Sequence, residues 1–140
     1  MKIRTFQLSD YMSVVELLQL SLSEECCEET MAALAKQLSW DSELVLIAER
    51  EDRIVGAMIG TIDRNQGFIY RIAVHPDHRG EGVARTLLSG MSQRFRQRNI
   101  FKIHIAGDKH NEILRPFYQS LGDQPIGFVT LSKPLAIMAI

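Results

Sequence analysis

The stretch that decides the fold is VHPDHRGEGVA, residues 74–84. The preceding residues 68–74, FIYRIAV, are apolar, aromatic and β-branched, which predicts a largely buried strand. After the stretch, apolar residues recur at three- and four-residue intervals, which predicts an amphipathic helix that begins at the glycines. The first turn of a helix presents main-chain N–H groups without partners, and Gly80 and Gly82 carry no Cβ atoms to keep a ligand away. The stretch therefore predicts a local anion site, typically for phosphate.

The composition limits what else the protein can do. At 140 residues with 46% hydrophobic content, the chain has the length of one domain, and we expect a single domain over residues 1–140. The formal net charge of −1 argues against nucleic acid as a partner. No apolar run is long enough to cross a bilayer, so we expect no membrane partner and a cytoplasmic location. Cys26 and Cys27 are adjacent and lack metal-site spacing, so we expect free thiols and no metal.

The first 42 residues predict one strand and two helices. The strand covers residues 2–8, and the acidic segment SEECCEET, residues 23–30, is expected to be a loop or an exposed helix edge. The apolar stripes predicted for the two helices are Tyr11, Val14, Val15, Leu18 and Leu22 for the first, and Met31, Leu34, Ala35 and Leu38 for the second.

The rest of the chain predicts a mixed sheet. Residues 43–74 read as three strands joined by short turns, which favours an antiparallel meander. The glycine helix ends near residue 98, and residues 101–105 follow as a strand parallel to the one that ends at Val74. A helix over residues 111–121 and two short strands, 126–133 and 134–140, close the chain. The order predicts an α/β (α+β) fold with a mixed, mostly antiparallel central sheet of six or seven strands, flanked by about four helices.

Spacing separates three kinds of phosphate-binding glycine loop. A nucleoside-triphosphate loop needs Gly-Lys-Ser/Thr, which is absent, and a dinucleotide loop needs a third glycine where Arg85 stands. The pattern V-x-P-x-x-R-G-x-G-x-G/A is present instead, and it resembles the acetyl-coenzyme A loop of the GNAT superfamily of N-acetyltransferases. The residues that carry this resemblance are Val74, Pro76, Arg79, Gly80, Gly82 and Ala84.

A second stretch, NEILRPFYQSLGD at residues 111–123, extends the resemblance. It is similar to the family motif of an asparagine followed by a helix that carries Phe-Tyr and ends in Leu-Gly. Asp123 departs from the aromatic residue that usually follows that glycine. With both motifs in order, the resemblance covers most of the chain from about Glu43.

The resemblance implies a GNAT-like fold, acetyl-CoA as co-substrate, a small-molecule or protein amine as acceptor, and direct attack in a ternary complex. It implies that the main-chain N–H of Val74 polarises the thioester carbonyl and that Tyr118 protonates the leaving thiolate. Glu81 is expected to contribute its N–H while its carboxylate faces solvent. The residues implied to bind the coenzyme are Ala73, Val74, Arg79, Gly80, Glu81, Gly82, Val83, Ala84, Arg85, Asn111 and Phe117.

Several assignments stay open at this level. The family's usual glutamate early on the fourth strand is missing, so the base could be water, Asp63 or Glu112. Arg71 is either paired at a sheet edge or holds an acidic group of the acceptor. A non-catalytic acyl-CoA sensor or adaptor, and a partner-binding domain with an empty loop, are the alternative functions. The apolar ending PLAIMAI is expected to be a strand, with a homodimer contact as the alternative.

Overall fold

A mixed β-sheet crosses the protein, and the computed structural model describes residues 1–106, 110, 127–130 and 137. In these residues the sheet has six strands: β1 (Lys2–Thr5), β2 (Val45–Arg50), β3 (Arg53–Asp63), β4 (Gln66–Val74), β5 (Lys102–Ile105) and β6 (Gly127–Thr130). The α-helices of the same residues are α1 (Tyr11–Ser21), α2 (Glu24–Trp40) and α3 (Val83–Gln97). Short 3₁₀ turns lie at Leu8–Asp10, Ser42–Leu44 and Pro76–His78. None of the described helices is both long and apolar enough to cross a membrane.

The sheet order follows the chain, β1-β2-β3-β4-β5-β6. The first four strands pair antiparallel, and β5 pairs parallel with both β4 and β6. This arrangement confirms the mixed, mostly antiparallel sheet and the parallel strand that follows the helical crossover. The helix predicted over residues 111–121 lies outside the described residues, as does the strand predicted over 134–140 apart from Ile137.

Both faces of the sheet are covered, which explains the nearly continuous apolar strands. Alternate residues of β2 face opposite sides, so Leu46 packs with α3 while Ile47 packs with α1 and α2. Under the first turn of α3, Gly56 leaves room for close contact. A Cβ atom at Gly56 would lie 2.6 Å from Val83 Cγ1 and 3.1 Å from Leu87 Cδ1. The start of α3 therefore rests directly on β3.

The acidic segment expected to be a loop or a helix edge forms the first two turns of α2. Ser23 is the N-cap, and its Oγ accepts a hydrogen bond of 3.2 Å from the Cys26 N–H. Glu24 and Glu25 in the first turn complement the positive end of the helix dipole. The expectation of an exposed helix edge is thus correct, and that of a loop is wrong.

The predicted stripes of the two N-terminal helices were partly wrong. On α1, Tyr11 is 44% exposed, whereas Leu17 is buried. On α2, Ala35 is exposed, whereas the polar residues Thr30 and Gln37 are buried. Apolar periodicity misses these two because each has a hydrogen bond inside the protein: Thr30 Oγ1 accepts from an arginine of β4, and Gln37 Nε2 donates to the Asp41 carbonyl.

Candidate active site

The site begins where β4 separates from β5. Consecutive residues Ile59 and Gly60 of β3 pair with Arg71 and Ile69 of β4, so Tyr70 is the extra residue of a β-bulge. The ladder between β4 and β5 ends with the pair Ile69–Ile105 and a hydrogen bond of 3.0 Å from the Ala106 N–H to the Ile69 carbonyl. Beyond this point, the structure describes no strand paired with β4 on that side. Residues 70–74 therefore form an open strand edge.

The main-chain N–H of Val74 lies on this open edge. The next residue, His75, donates its N–H to the Val55 carbonyl at 2.8 Å and so faces β3. Because successive N–H groups of a strand point to opposite sides, the Val74 N–H is directed away from β3. It therefore points towards the gap between β4 and β5.

Hydrogen bonds of His75 and His78 shape the turn that leaves β4. His75 Nδ1 accepts from the Asp77 N–H at 3.1 Å, and the His78 N–H donates to the His75 carbonyl at 2.9 Å. Both histidines therefore belong to the turn that connects β4 to α3. Gly80 and Gly82 follow with φ of +81° and +82°, a left-handed conformation that strains any residue with a Cβ. Apart from its chain neighbours, a Cβ at either glycine would meet no atom of the described residues within 4 Å, so backbone conformation explains both glycines.

This turn leaves a row of main-chain N–H groups available at the head of α3. Thr86 donates to the Gly82 carbonyl through its N–H at 3.0 Å and through its Oγ1 at 2.8 Å, which secures the first turn. Within the described residues, no protein acceptor receives a hydrogen bond from the N–H groups of residues 79–84. Six N–H donors beside the positive end of a helix dipole form a site for an anion.

The open edge of β4 and the glycine turn enclose one cleft of about 590 Å³. The end of α1 closes one wall, and His110 contributes to the lining. The described lining residues are Ser21, Leu22, Arg71, Ile72, Ala73, Val74, His78, Arg79, Gly80, Gly82, Val83, Ala84, Arg85 and His110. The structure therefore brings together Ala73, Val74 and every predicted coenzyme residue between Arg79 and Arg85 except Glu81.

The charged side chains of Glu81 and Arg79 in the turn pair with or hydrogen-bond to groups elsewhere in the protein. Glu81 pairs with Arg50 at 3.3 Å and with His78 Nδ1 at 2.8 Å, and its side chain is 39% exposed. Its carboxylate thus lies outside the cleft lining, as expected from the sequence. Arg79 Nη2 donates to the Ser21 carbonyl at 3.4 Å, which places this guanidinium across the cleft at the end of α1. The sequence offered no signal for Arg50, which is distant in the chain from the turn.

Arg71 is buried, with 2% of its surface exposed. Its Nε donates to Thr30 Oγ1 at 3.1 Å, and its guanidinium carbon lies 5.0 Å from the centroid of the Tyr70 ring. The bulge at Tyr70 directs both side chains to the α1/α2 face. Arg71 therefore lies on the open segment of β4, and its side chain is buried against α2, where Thr30 accepts its hydrogen bond.

Other predicted site residues fall elsewhere. Asn111, Phe117 and Tyr118 lie outside the described residues, as does Glu112. Asp63 pairs with Gln66 at the hairpin that precedes β4, eight residues from Val74. At about 3.3 Å per residue, Gln66 lies roughly 25 Å from Val74, so Asp63 is too far from Val74 to act as the base there.

A family model described as "Acetyltransferase (GNAT) family" matches residues 11–123. The chain belongs to the GNAT family of acetyltransferases. An acetyltransferase of Pectobacterium atrosepticum is 30% identical to this GNAT protein over 135 residues, which cover 96% of each chain. The family predicted from the glycine turn and the Asn-Phe-Tyr motif is thereby confirmed.

Two solved structures share the fold of this GNAT acetyltransferase. The PaiA N-acetyltransferase from Thermoplasma acidophilum, in complex with coenzyme A, aligns with a TM-score of 0.70 at 18% identity, over 85% of this chain and 86% of that one. A GNAT family acetyltransferase from Brucella melitensis, in complex with acetyl-CoA, aligns with a TM-score of 0.64 at 18% identity, over 83% and 80% of the two chains. At these identities the likeness concerns the fold.

Proposed function

We propose that this GNAT acetyltransferase transfers the acetyl group of acetyl-CoA to a primary amine by direct attack in a ternary complex. The observation that carries the proposal is the row of N–H groups at residues 79–84, which have no protein acceptor in the described part of the chain. Two related folds were solved with coenzyme A and with acetyl-CoA, which supports the choice of ligand. The pyrophosphate of the coenzyme is the anion that fits this row.

The coenzyme is then held mainly by main-chain groups. In this proposal, the N–H groups of Arg79 to Ala84 bind the pyrophosphate, and the side chains of Arg79 and Arg85 add positive charge at the cleft wall. Ala73 and Val74 line the path of the pantetheine arm along the open edge of β4. Asn111 and Phe117 are proposed to contact the coenzyme from the motif that follows β5.

The thioester carbonyl needs a hydrogen-bond donor as the amine attacks it. We assign this role to the Val74 N–H, because it points towards the gap between β4 and β5 and lies in a strand that is paired with β3. A fixed donor directed at the developing oxyanion lowers the barrier by about 3 kcal/mol. The cleft thus aligns the pyrophosphate site and the oxyanion donor on one strand–turn–helix segment.

Tyr118 is the proposed general acid. A phenol with an ordinary pKa of about 10 can protonate a thiolate whose thiol has a pKa near 8.5. Tyr118→Phe should lower kcat by roughly 10²-fold and leave the KM for acetyl-CoA nearly unchanged. A variant that turns over as fast as the wild type at every pH would show that Tyr118 is not the acid.

Arg71 is the proposed contact for an acidic group of the acceptor, since it borders the cleft as well as the core. Arg71→Met retains most of the side-chain volume and removes the charge. An acceptor KM that rises by about tenfold, with the KM for acetyl-CoA unchanged, would support the assignment. An unchanged acceptor KM would remove it.

Two measurements test the function as a whole. Acetyl-CoA at a hundred times its Kd should raise the free energy of unfolding by about 2.7 kcal/mol, and a protein with an empty loop would show no such gain. Release of free thiol from acetyl-CoA is then measured with polyamines, amino acids, aminoglycosides and peptide N-termini. Stabilisation without thiol release by any amine would identify an acyl-CoA sensor and refute the transferase.

A further inference from the structure

A second cavity lies beside the cleft, between α1 and α2. Its volume is about 550 Å³, close to the 590 Å³ of the cleft itself. Leu22, the residue that follows α1, lines both cavities and therefore forms a wall between them. We call the second cavity the helix groove; beyond Leu22, its described lining is Val15, Gln19, Glu24, Cys27, Glu28 and Met31.

The helix groove combines an apolar floor with an acidic rim. Val15, Cys27 and Met31 are partly buried, whereas Glu24 and Glu28 are exposed. Burial, with a smaller effect of Glu28, raises the pKa of the Cys27 thiol, so this residue is an uncharged part of the floor. Among the described lining residues none is basic. A groove of this kind accommodates an aliphatic chain that carries a positive charge at its end.

The sign of the charge reverses across Leu22. The described lining of the cleft contains Arg71, Arg79 and Arg85 and no carboxylate, whereas that of the helix groove contains two carboxylates and no basic residue. The cleft therefore favours anions such as the phosphates of the coenzyme, and the helix groove favours cations. A ligand with a positive charge remote from the cleft is best placed with that charge beyond Leu22.

The acidic rim is not explained by helix stability alone. Glu24, in the first turn of α2, complements the positive end of the helix dipole, but Glu28 lies one turn further on, where that effect has faded. On the other side of the helix groove, α1 ends at Ser21 with no basic residue in its last turn to compensate its negative end. Both helices thus contribute negative charge to the helix groove.

We propose that the helix groove binds a second ammonium group of the acceptor, so that the acceptor is a linear aliphatic di- or polyamine. This inference rests on the proposed acetyl transfer and deepens it by naming the substrate class. The reacting amine enters the cleft near Val74, the chain passes Leu22, and the distal ammonium lies between Glu24 and Glu28. Such a group, with an ordinary pKa of about 10.4 as in lysine, is charged at neutral pH.

The chemistry of the transfer takes place at the first nitrogen only. The neutral amine nitrogen bonds to the thioester carbon and loses one proton, the C–S bond breaks, and the thiolate takes up one proton. The second ammonium is bound equally in the ground state and the transition state, so its contact lowers the KM for the acceptor and leaves kcat nearly unchanged.

The test compares two series of probe amines at saturating acetyl-CoA. Linear α,ω-diamines carry the second ammonium, and amino alcohols of the same length carry a neutral hydroxyl in its place. Neither series has an acidic group, so a contact with Arg71 does not enter the comparison. We expect kcat/KM to favour the diamine by roughly tenfold once the chain is long enough to pass Leu22. For the shortest chains the preference should be only about twofold, because a diamine offers two equivalent amines.

Ionic strength and two glutamate variants test the origin of this preference. Salt at about 1 M, which screens charges beyond roughly 3 Å, should reduce it. Glu28→Gln should lower the tenfold preference to about threefold and act mainly on the diamine. Glu16→Gln removes the same charge from an exposed position of α1 outside the helix groove and should retain the wild-type preference.

The contrary results are distinct from one another. Wild-type turnover of both series at equal rates for every chain length would refute the second-ammonium site and leave the transferase intact. A preference that is independent of chain length, or that Glu16→Gln lowers as much as Glu28→Gln, would reflect general attraction of cations and also exclude the site. If Glu28→Gln changes the sedimentation behaviour of the protein but not the preference, the helix groove binds a second copy of the chain instead. Wild-type protein that binds acetyl-CoA but releases no thiol with any amine would overturn the transferase itself.

Discussion

Replacing Gly56 with alanine tests whether the head of α3 rests directly on the sheet. The new Cβ would lie 2.6 Å from Val83 Cγ1, 3.1 Å from Leu87 Cδ1 and 3.3 Å from the Ala73 carbonyl oxygen. Carbon atoms pack best at about 3.5–4.0 Å, so the contact with Val83 is too short by about 1 Å. The Ala73 carbonyl belongs to the main chain of β4 and prevents the new Cβ from moving away from Val83, so the first turn of α3 has to move.

The cost can be worked from these contacts. Overpacking a buried site costs about 1–3 kcal/mol. Alanine also lowers the conformational entropy of the unfolded chain, which adds about 0.4–1 kcal/mol to the free energy of unfolding. The expected net loss in the free energy of unfolding is about 1–2 kcal/mol, or a fall in Tm of roughly 3–7 °C for a domain of this size.

The same movement of the first turn of α3 should weaken the binding of acetyl-CoA. Val83 and Ala84 carry two of the N–H groups assigned to the pyrophosphate, so the KM for acetyl-CoA should rise several-fold while the KM for the amine stays the same. Urea unfolding and steady-state thiol release measure the two effects. Gly90→Ala is the matched control. Its new Cβ would approach Ile3 Cγ2 no closer than 3.0 Å, and alanine is favoured over glycine inside a helix by about 1 kcal/mol, so this variant should not lose stability.

A second substitution checks the mechanism. Val83→Ala removes the atom that the new Cβ meets and should cost about 2 kcal/mol on its own, yet clearly less in the Gly56→Ala background. If the two losses simply add, or if Gly56→Ala melts like the wild type, the close approach of α3 to β3 is not what requires glycine.

Three further predictions follow from contacts around the site. Arg50→Gln should raise the KM for acetyl-CoA by roughly fivefold, because the released Glu81 carboxylate can then turn towards the phosphates and repel them. If the rise is equally large in a Glu81→Gln background, Arg50 acts by its own charge and not through Glu81. Thr30→Val removes the acceptor for the buried Nε of Arg71 and should lower the free energy of unfolding, measured in urea, by about 1.5–3 kcal/mol. A loss below about 0.5 kcal/mol would mean that this hydrogen bond contributes little to stability. Burial, with a smaller effect of Lys102, lowers the pKa of His104 below its ordinary 6.5, so the unfolded chain binds more protons and stability should fall as the pH drops below about 6.5. His104→Phe should reduce that fall between pH 7.5 and pH 5, and an identical pH dependence would contradict the burial of a neutral ring.

The coenzyme turn was predictable because its residues are contiguous. Val74 to Arg85 form one strand–turn–helix unit, and the glycine spacing reflects local backbone conformation, with φ of +81° and +82°. The three-strand meander and the parallel β5 were predictable for the same reason, since short turns and a helical crossover fix the direction of successive strands.

The side-chain contacts around the cleft were not predictable in the same way. Arg71 was expected to be paired at a sheet edge or to hold a ligand, and no local pattern indicated that the bulge at Tyr70 turns its side chain towards α2, where Thr30 accepts a hydrogen bond. Asp63 was a plausible base by residue type, and the register of the hairpin places it far from Val74. The contacts Arg50–Glu81 and Glu29–His110 join residues 31 and 81 positions apart in the chain.

The sequence by itself determined the three-strand meander, the parallel strand after the helical crossover, the glycine turn and the family, because each depends on residues within short segments or on segments joined by tight connections. Only the tertiary structure decided which distant side chains meet at the cleft. A β-bulge, a hairpin register and the docking of α2 on the sheet are set by packing between segments, and no local pattern of residue types encodes them.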